Sequence, residues 1–179
     1  MGIEVLNESG ESADVSSLSR LSRFVLDRMR IHPQAELCVK LVDPETIATL
    51  NAQWMDGTGP TDVLAFPMDE LRPSPGSEEP APGVVGDVVL CPRVAAGQAA
   101  AHGQSAQDEI DLLLIHGVLH LLGFDHAEPE EHREMFGLQA RLLGEWQGVR
   151  RGEEPSEPAR EQGSAVRRIP PTSASEAEA

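Results

Sequence analysis

Basic charge is scarce: 14 Lys plus Arg stand against 30 Asp plus Glu, a formal net charge of -16 at pH 7. That excludes the simplest nucleic-acid binder, a surface coated in positive charge, so any polyanion has to be met at a local site. Cysteine is nearly absent too. Cys38 and Cys91 are too few for a disulfide framework, and a reduced, cytoplasmic chain is expected. No apolar run is long enough to span a membrane. The first dozen residues carry acids and no basic-then-apolar block, so no secretory signal is expected. Apolar residues make up 40% of the 179, a low share for a globular chain, and the shortfall sits at one end.

That end is 151–179, with four prolines, no aromatic residue and a small excess of Glu over Arg. Such a stretch cannot bury enough surface to offset its ordering entropy, and a disordered tail is expected. A second break falls at 67–83, where five prolines in seventeen residues forbid a helix interior or a central strand and leave a long loop. What remains, 1–150, reads as one domain. Strands are expected at 3–6, 35–42, 61–66 and 84–91, and helices at 16–31, 44–55, 92–102, 105–122 and 129–146. Asp14 or Ser16 would cap the first helix. Asp43 followed by Pro44 marks the start of the second. The expected fold is therefore α+β, a small mixed four-stranded sheet with helices packed on it.

The informative segment is Leu112-Leu-Leu-Ile-His116-Gly-Val-Leu-His120-Leu-Leu-Gly123-Phe-Asp-His126. Four helical residues turn about 400° and rise roughly 6 Å, so His116 and His120 share one face and can grip one cation. His126 would lie about 15 Å from His116 if the helix continued. Gly123 resolves this, because it sits where a left-handed cap would end the helix and turn the chain back. Three neutral imidazoles with an open fourth position describe a catalytic zinc site, one ion per chain, although imidazole ligands suit nickel as well. Asp125 stands ready as an acceptor that fixes a histidine tautomer. His32, His102 and His132 read as core or surface residues. The spacing His-x3-His-x2-Gly-x2-His is also that of metzincin proteases. Their general base, however, is a Glu directly after the first His, and here that residue is Gly117.

The same segment resembles the signature of the YbeY endoribonuclease family of bacterial ribosomal-RNA maturation factors. Leu50-Asn-Ala-Gln-Trp54 with Gly59-Pro-Thr-Asp62-Val-Leu-Ala-Phe66-Pro67, and Gly86-Asp87-Val-Val-Leu-Cys91, extend the resemblance over about 37–146. It implies a zinc-dependent hydrolase that cuts single-stranded RNA, with roles in 16S ribosomal-RNA 3′-end maturation and ribosome quality control. The partners it implies are single-stranded ribosomal RNA and the small ribosomal subunit or its assembly proteins, with no DNA and no membrane. Asp62 and Asp125 are the candidate catalytic carboxylates. Where the family often has Arg after the aromatic of its Asn-x-x-aromatic element, this chain has Met55, and Arg93 is the candidate substitute for holding a phosphate. Trp54 and Phe66 could stack bases, with core packing the favoured reading. A non-catalytic, metal-stabilised ribosome-assembly factor is the rival from another class.

Overall fold

The structure is a computed structural model and describes residues 2–68 and 83–152. The long loop expected at 67–83 and the tail expected from 151 lie almost wholly outside the described residues. The element order is β1 (Ile3–Asn7), α1 (Val15–Arg28), β2 (Glu36–Leu41), α2 (Pro44–Trp54), β3 (Val63–Pro67), β4 (Val84–Leu90), α3 (Pro92–His102), α4 (Ala106–Leu121) and α5 (Pro129–Arg150). The sheet runs β1-β2-β4-β3, with β1, β2 and β4 parallel and β3 antiparallel at the edge. This is the mixed α+β sheet that the order of strands and helices implies.

Local chemistry explains where the helices begin. Asp14 Oδ1 accepts from the Ser17 backbone N–H at 2.9 Å, so Asp14 rather than Ser16 caps α1. Asp43 does the same for α2, accepting from the Thr46 N–H at 2.7 Å, and Pro44 at the first helical position has no N–H that would need a partner. Ser105 caps α4 through Asp108 at 3.1 Å. Two ends depart from the periodicity. α1 stops at Arg28 instead of running to 31, because Arg30 takes a left-handed φ of 58° and the Ile31 N–H folds back onto the Leu26 carbonyl. α5 continues past Trp146 to Arg150, whose guanidinium reaches the buried carboxylate of Asp111 at 3.1 Å.

α4 is the axis of the fold. Ile110, Leu113, Leu114, Ile115, Val118 and Leu119 are all buried, and a helix that is apolar on every side belongs inside. It lies on β3 and β4 and is flanked by α1, α3 and α5, forming the main core with the inner sides of the strands. A smaller core on the other sheet face joins Ile47 and Leu50 of α2 to Leu64, Val89 and Cys91. Gly117 is the point of closest approach: a Cβ there would lie 2.8 Å from Val88 Cγ1 on β4. Glycine is therefore required for α4 to sit at this depth, and the final turn of α4 is held tightly against the sheet.

Candidate metal centre

α4 delivers His116 and His120 from its last two turns, with their Nε2 atoms 3.1 Å apart. The helix then ends as the sequence requires. Gly123 adopts φ 96°, its N–H bonds the His120 carbonyl, and the Phe124 N–H bonds the Leu119 carbonyl, both at 3.1 Å. This pair of bonds is a Schellman closure, which reverses the chain within one residue. Phe124 packs back against the main core. The reversal brings His126 round, and one nitrogen from each of His116, His120 and His126 falls within 4.8 Å of the other two. Zinc–nitrogen bonds of about 2.0–2.1 Å in a tetrahedral set place nitrogens roughly 3.3–3.4 Å apart. The His116 and His120 Nε2 atoms, 3.1 Å apart, are near that spacing, and a small side-chain rotation brings in the third nitrogen to hold one ion.

Electrostatics prepare them for it. Burial, reinforced by the neighbouring His120, pushes the His116 pKa down to about 4, and burial followed by the nearby His126 also lowers that of His120. Both rings are therefore neutral near pH 7, with lone pairs available to a cation. His116 is buried while His120 and His126 are half-buried, so the group opens to one side. That side is a cleft of about 560 Å³ whose wall includes Asn51, Met55, Asp56, Ala65, His116 and His120.

The residue that the sequence reading missed is Gln139 on α5. It is 2% exposed, and its Oε1 accepts from His116 Nδ1 at 2.8 Å. With the proton held on Nδ1, Nε2 is left as the ligand atom. Its sequence signal was a single polar residue in the apolar stripe Met135, Phe136, Leu142 and Trp146. Asp125 does not have the tautomer-fixing place expected for it. Its Oδ1 accepts instead from the backbone N–H of His126 at 2.7 Å, tying down the ligand-bearing loop, while its charge favours protonated His120. His132 lies outside the three-histidine group, half-buried, with its ring packed on Phe136 at 4.3 Å, and Phe136 also flanks His116 and His126.

Three other expectations are corrected. Asp62 is not among the cleft-lining residues. It is 1% exposed, and its Oδ1 accepts from the Val63 N–H at 2.8 Å and from the Thr61 hydroxyl at 3.2 Å, a capping role at the start of β3. Arg93 does not line the cleft but reaches Glu11, 3.2 Å away, across the molecule's surface. Trp54, expected in the core, is 64% exposed, whereas Phe66 does pack against the smaller core.

The buried Asp62 carboxyl yields a stability prediction. Desolvation raises its pKa, opposed by its hydrogen-bonding neighbours, and its Oδ2 lacks a partner. The folded state thus holds the Asp62 proton more tightly than the unfolded chain. Stability falls as pH rises through the unfolded carboxyl value of about 3.9 towards the raised folded one. Asp62→Asn keeps the acceptor for Val63 and Thr61 and puts an amide donor near Gln98, whose Oε1 is also buried without a partner. The variant is expected to gain on the order of 1 kcal/mol at pH 7, and the gain should shrink towards pH 4. Thermal unfolding at the two pH values checks this.

The fold and these three imidazoles define an α+β protein built around a candidate three-histidine metal centre with an accessible side. The chain belongs to the endoribonuclease YbeY family, whose model, described as Endoribonuclease YbeY, matches residues 4–147. A Nocardioides protein named endoribonuclease YbeY is 66% identical over 146 residues, covering 82% of this chain and 98% of that one. A Thermobifida fusca protein of the same name is 61% identical over 146 residues, covering 82% and 94%. The solution structure of a Thermotoga maritima protein superposes with a TM-score of 0.61 at 28% identity, covering 89% of this chain and 99% of that one. The membership gives the enzyme class, a hydrolase acting on RNA phosphodiester bonds. The protease alternative also loses its physical basis. The position of its general base is Gly117, where even a Cβ meets Val88, so no carboxylate fits.

Proposed function

We propose that this chain is a zinc-dependent endoribonuclease of single-stranded RNA, acting in the cytoplasm on the 3′ end of 16S ribosomal RNA and in quality control of the small ribosomal subunit. The observation that carries the reading is the gathering of three imidazole nitrogens within 4.8 Å at the wall of an open cleft, in a chain of an RNA-cleaving family. His116, His120 and His126 would hold one ion, which when bound would supply Lewis acidity towards a phosphoryl oxygen and lower the pKa of a water to about 7. His116 is oriented by Gln139, and His126 by the hold of Asp125 on its backbone. Asp125 is exposed beside His120 and is the proposed proton acceptor. Among the described residues no helix is long and apolar enough to cross a membrane.

The test pairs elemental analysis with cleavage of a single-stranded RNA before and after chelation. The expected result is about one zinc per chain, loss of cleavage in protein that stays folded without metal, and recovery on adding zinc back. Undiminished cleavage by metal-free protein would overturn the reading. One observation favours the rival, a metal-stabilised assembly factor: among its described residues the cleft wall carries no Lys or Arg, and Met55 stands where a phosphate-binding arginine was expected. That rival predicts a protein that melts on chelation and never cuts.

A further inference from the structure

Single apolar residues on a surface need no explanation. Here, however, three of the four exposed large hydrophobic residues among those described, Trp54, Met55 and Met68, are either in the cleft wall or directly next in the chain to a residue that is. Trp54 and Met55 close α2, and Met55 lies in the cleft wall together with Asn51, one turn before Trp54 on the same helical side. Met68 follows Pro67, which lines the cleft from β3. The other aromatic rings of the chain are already engaged. Trp146 is 3% exposed and packs on Phe24 at 5.6 Å. Phe136 lies among the histidines, and Phe66 and Phe124 are packed on the two cores.

The charge at the cleft sharpens the point. With no Lys or Arg among its described lining residues and with the carboxyl-bearing Asp56 in its wall, the cleft cannot grip a nucleic acid chiefly by its phosphates. Indole faces, in contrast, take any base without a charge partner, and purines offer them more stacking area than pyrimidines. We propose that Trp54 is a stacking platform for a base of the single-stranded RNA beside the cleft, favouring purines. Recognition then rests on base faces where a phosphate clamp is missing. The proposal rests on the endoribonuclease reading above and names how that enzyme holds its substrate.

Stacking is worth about 1–3 kcal/mol per base, or roughly 5- to 150-fold in affinity. The experiment measures cleavage and equilibrium binding of short unstructured oligoadenylate and oligouridylate by the zinc-loaded full chain. For Trp54→Ala, the loss should fall on KM rather than kcat, within that range, and the preference for oligoadenylate over oligouridylate should vanish. Trp54→Phe should recover most of the affinity. It also isolates the spectroscopic signal. RNA should quench wild-type tryptophan emission but leave Trp54→Phe unchanged, because the remaining Trp146 is buried. Wild-type binding should weaken little with added salt, since few phosphates are neutralised. A Trp54→Ala protein that keeps wild-type KM and base preference overturns the stacking role and leaves the enzyme reading standing. Wild-type protein that neither binds nor cuts either oligonucleotide overturns both.

Discussion

His120→Ala is expected to empty the metal centre and end RNA cleavage together, with a fall in rate of more than about 100-fold. Removing this ring leaves His116 and His126 as two nitrogens, too few to hold a catalytic ion that needs three protein ligands and an open position. His120 is the informative choice among the three. It is half-buried, and its structural duty at the helix end is carried by its backbone carbonyl, which receives the Gly123 N–H whatever the side chain. His116 is 3% exposed, so truncating it would open a cavity and leave the Gln139 amide without its partner, confusing a fold defect with a ligand defect. Elemental analysis, a thermal melt and an RNA cleavage assay on the same preparation give the answer. Zinc and cleavage should both disappear while the fold persists, and a metal-free variant cutting at the wild-type rate would remove zinc from the chemistry.

What could be read from the sequence was whatever local chemistry decides. Asp43-Pro44 and Ser105 start helices because side-chain oxygens and a missing N–H solve a problem confined to four residues. The pair His116 and His120 is legible because helical periodicity alone sets their facing. His126 joins them because only a residue free to take φ 96°, Gly123, turns the chain so soon. Where tertiary partners decide, the same reading failed. Trp54 and Trp146 both sit near helix ends in apolar company, yet one is 64% exposed and the other 3%, because only α5 is laid against the main core at that point. Asp62 reads as a candidate catalytic carboxylate until Gln98 of α3 and Thr61 are seen closing over it. Arg93 reads as a phosphate ligand until the fold turns it towards Glu11, eighty-two positions away in the chain. Gly117 could be read only as a missing general base, whereas the structure gives the positive reason for it: a strand lying too close to α4 for any side chain.

Gln139 supplies the second large effect, because a ligand is only as good as the tautomer it is held in. Gln139→Leu is expected to weaken zinc binding about 10- to 100-fold. Leucine suits the apolar stripe of Met135, Phe136 and Leu142 around it, so the core should stay packed while the acceptor for His116 Nδ1 disappears. The His116 proton can then reside on either nitrogen, and the form with Nε2–H presents no lone pair to the ion. Gln139→Glu keeps an acceptor at the same place and should hold zinc at least as firmly as the wild type. Competition with a chromogenic chelator measures both affinities. Cleavage by Gln139→Leu should return towards the wild-type rate when zinc is raised to saturation, since the three ligands themselves are untouched. Equal zinc affinity in Gln139→Leu and wild type would show instead that Phe136, 5.8 Å from the His116 ring centroid, orients the ligand by packing alone.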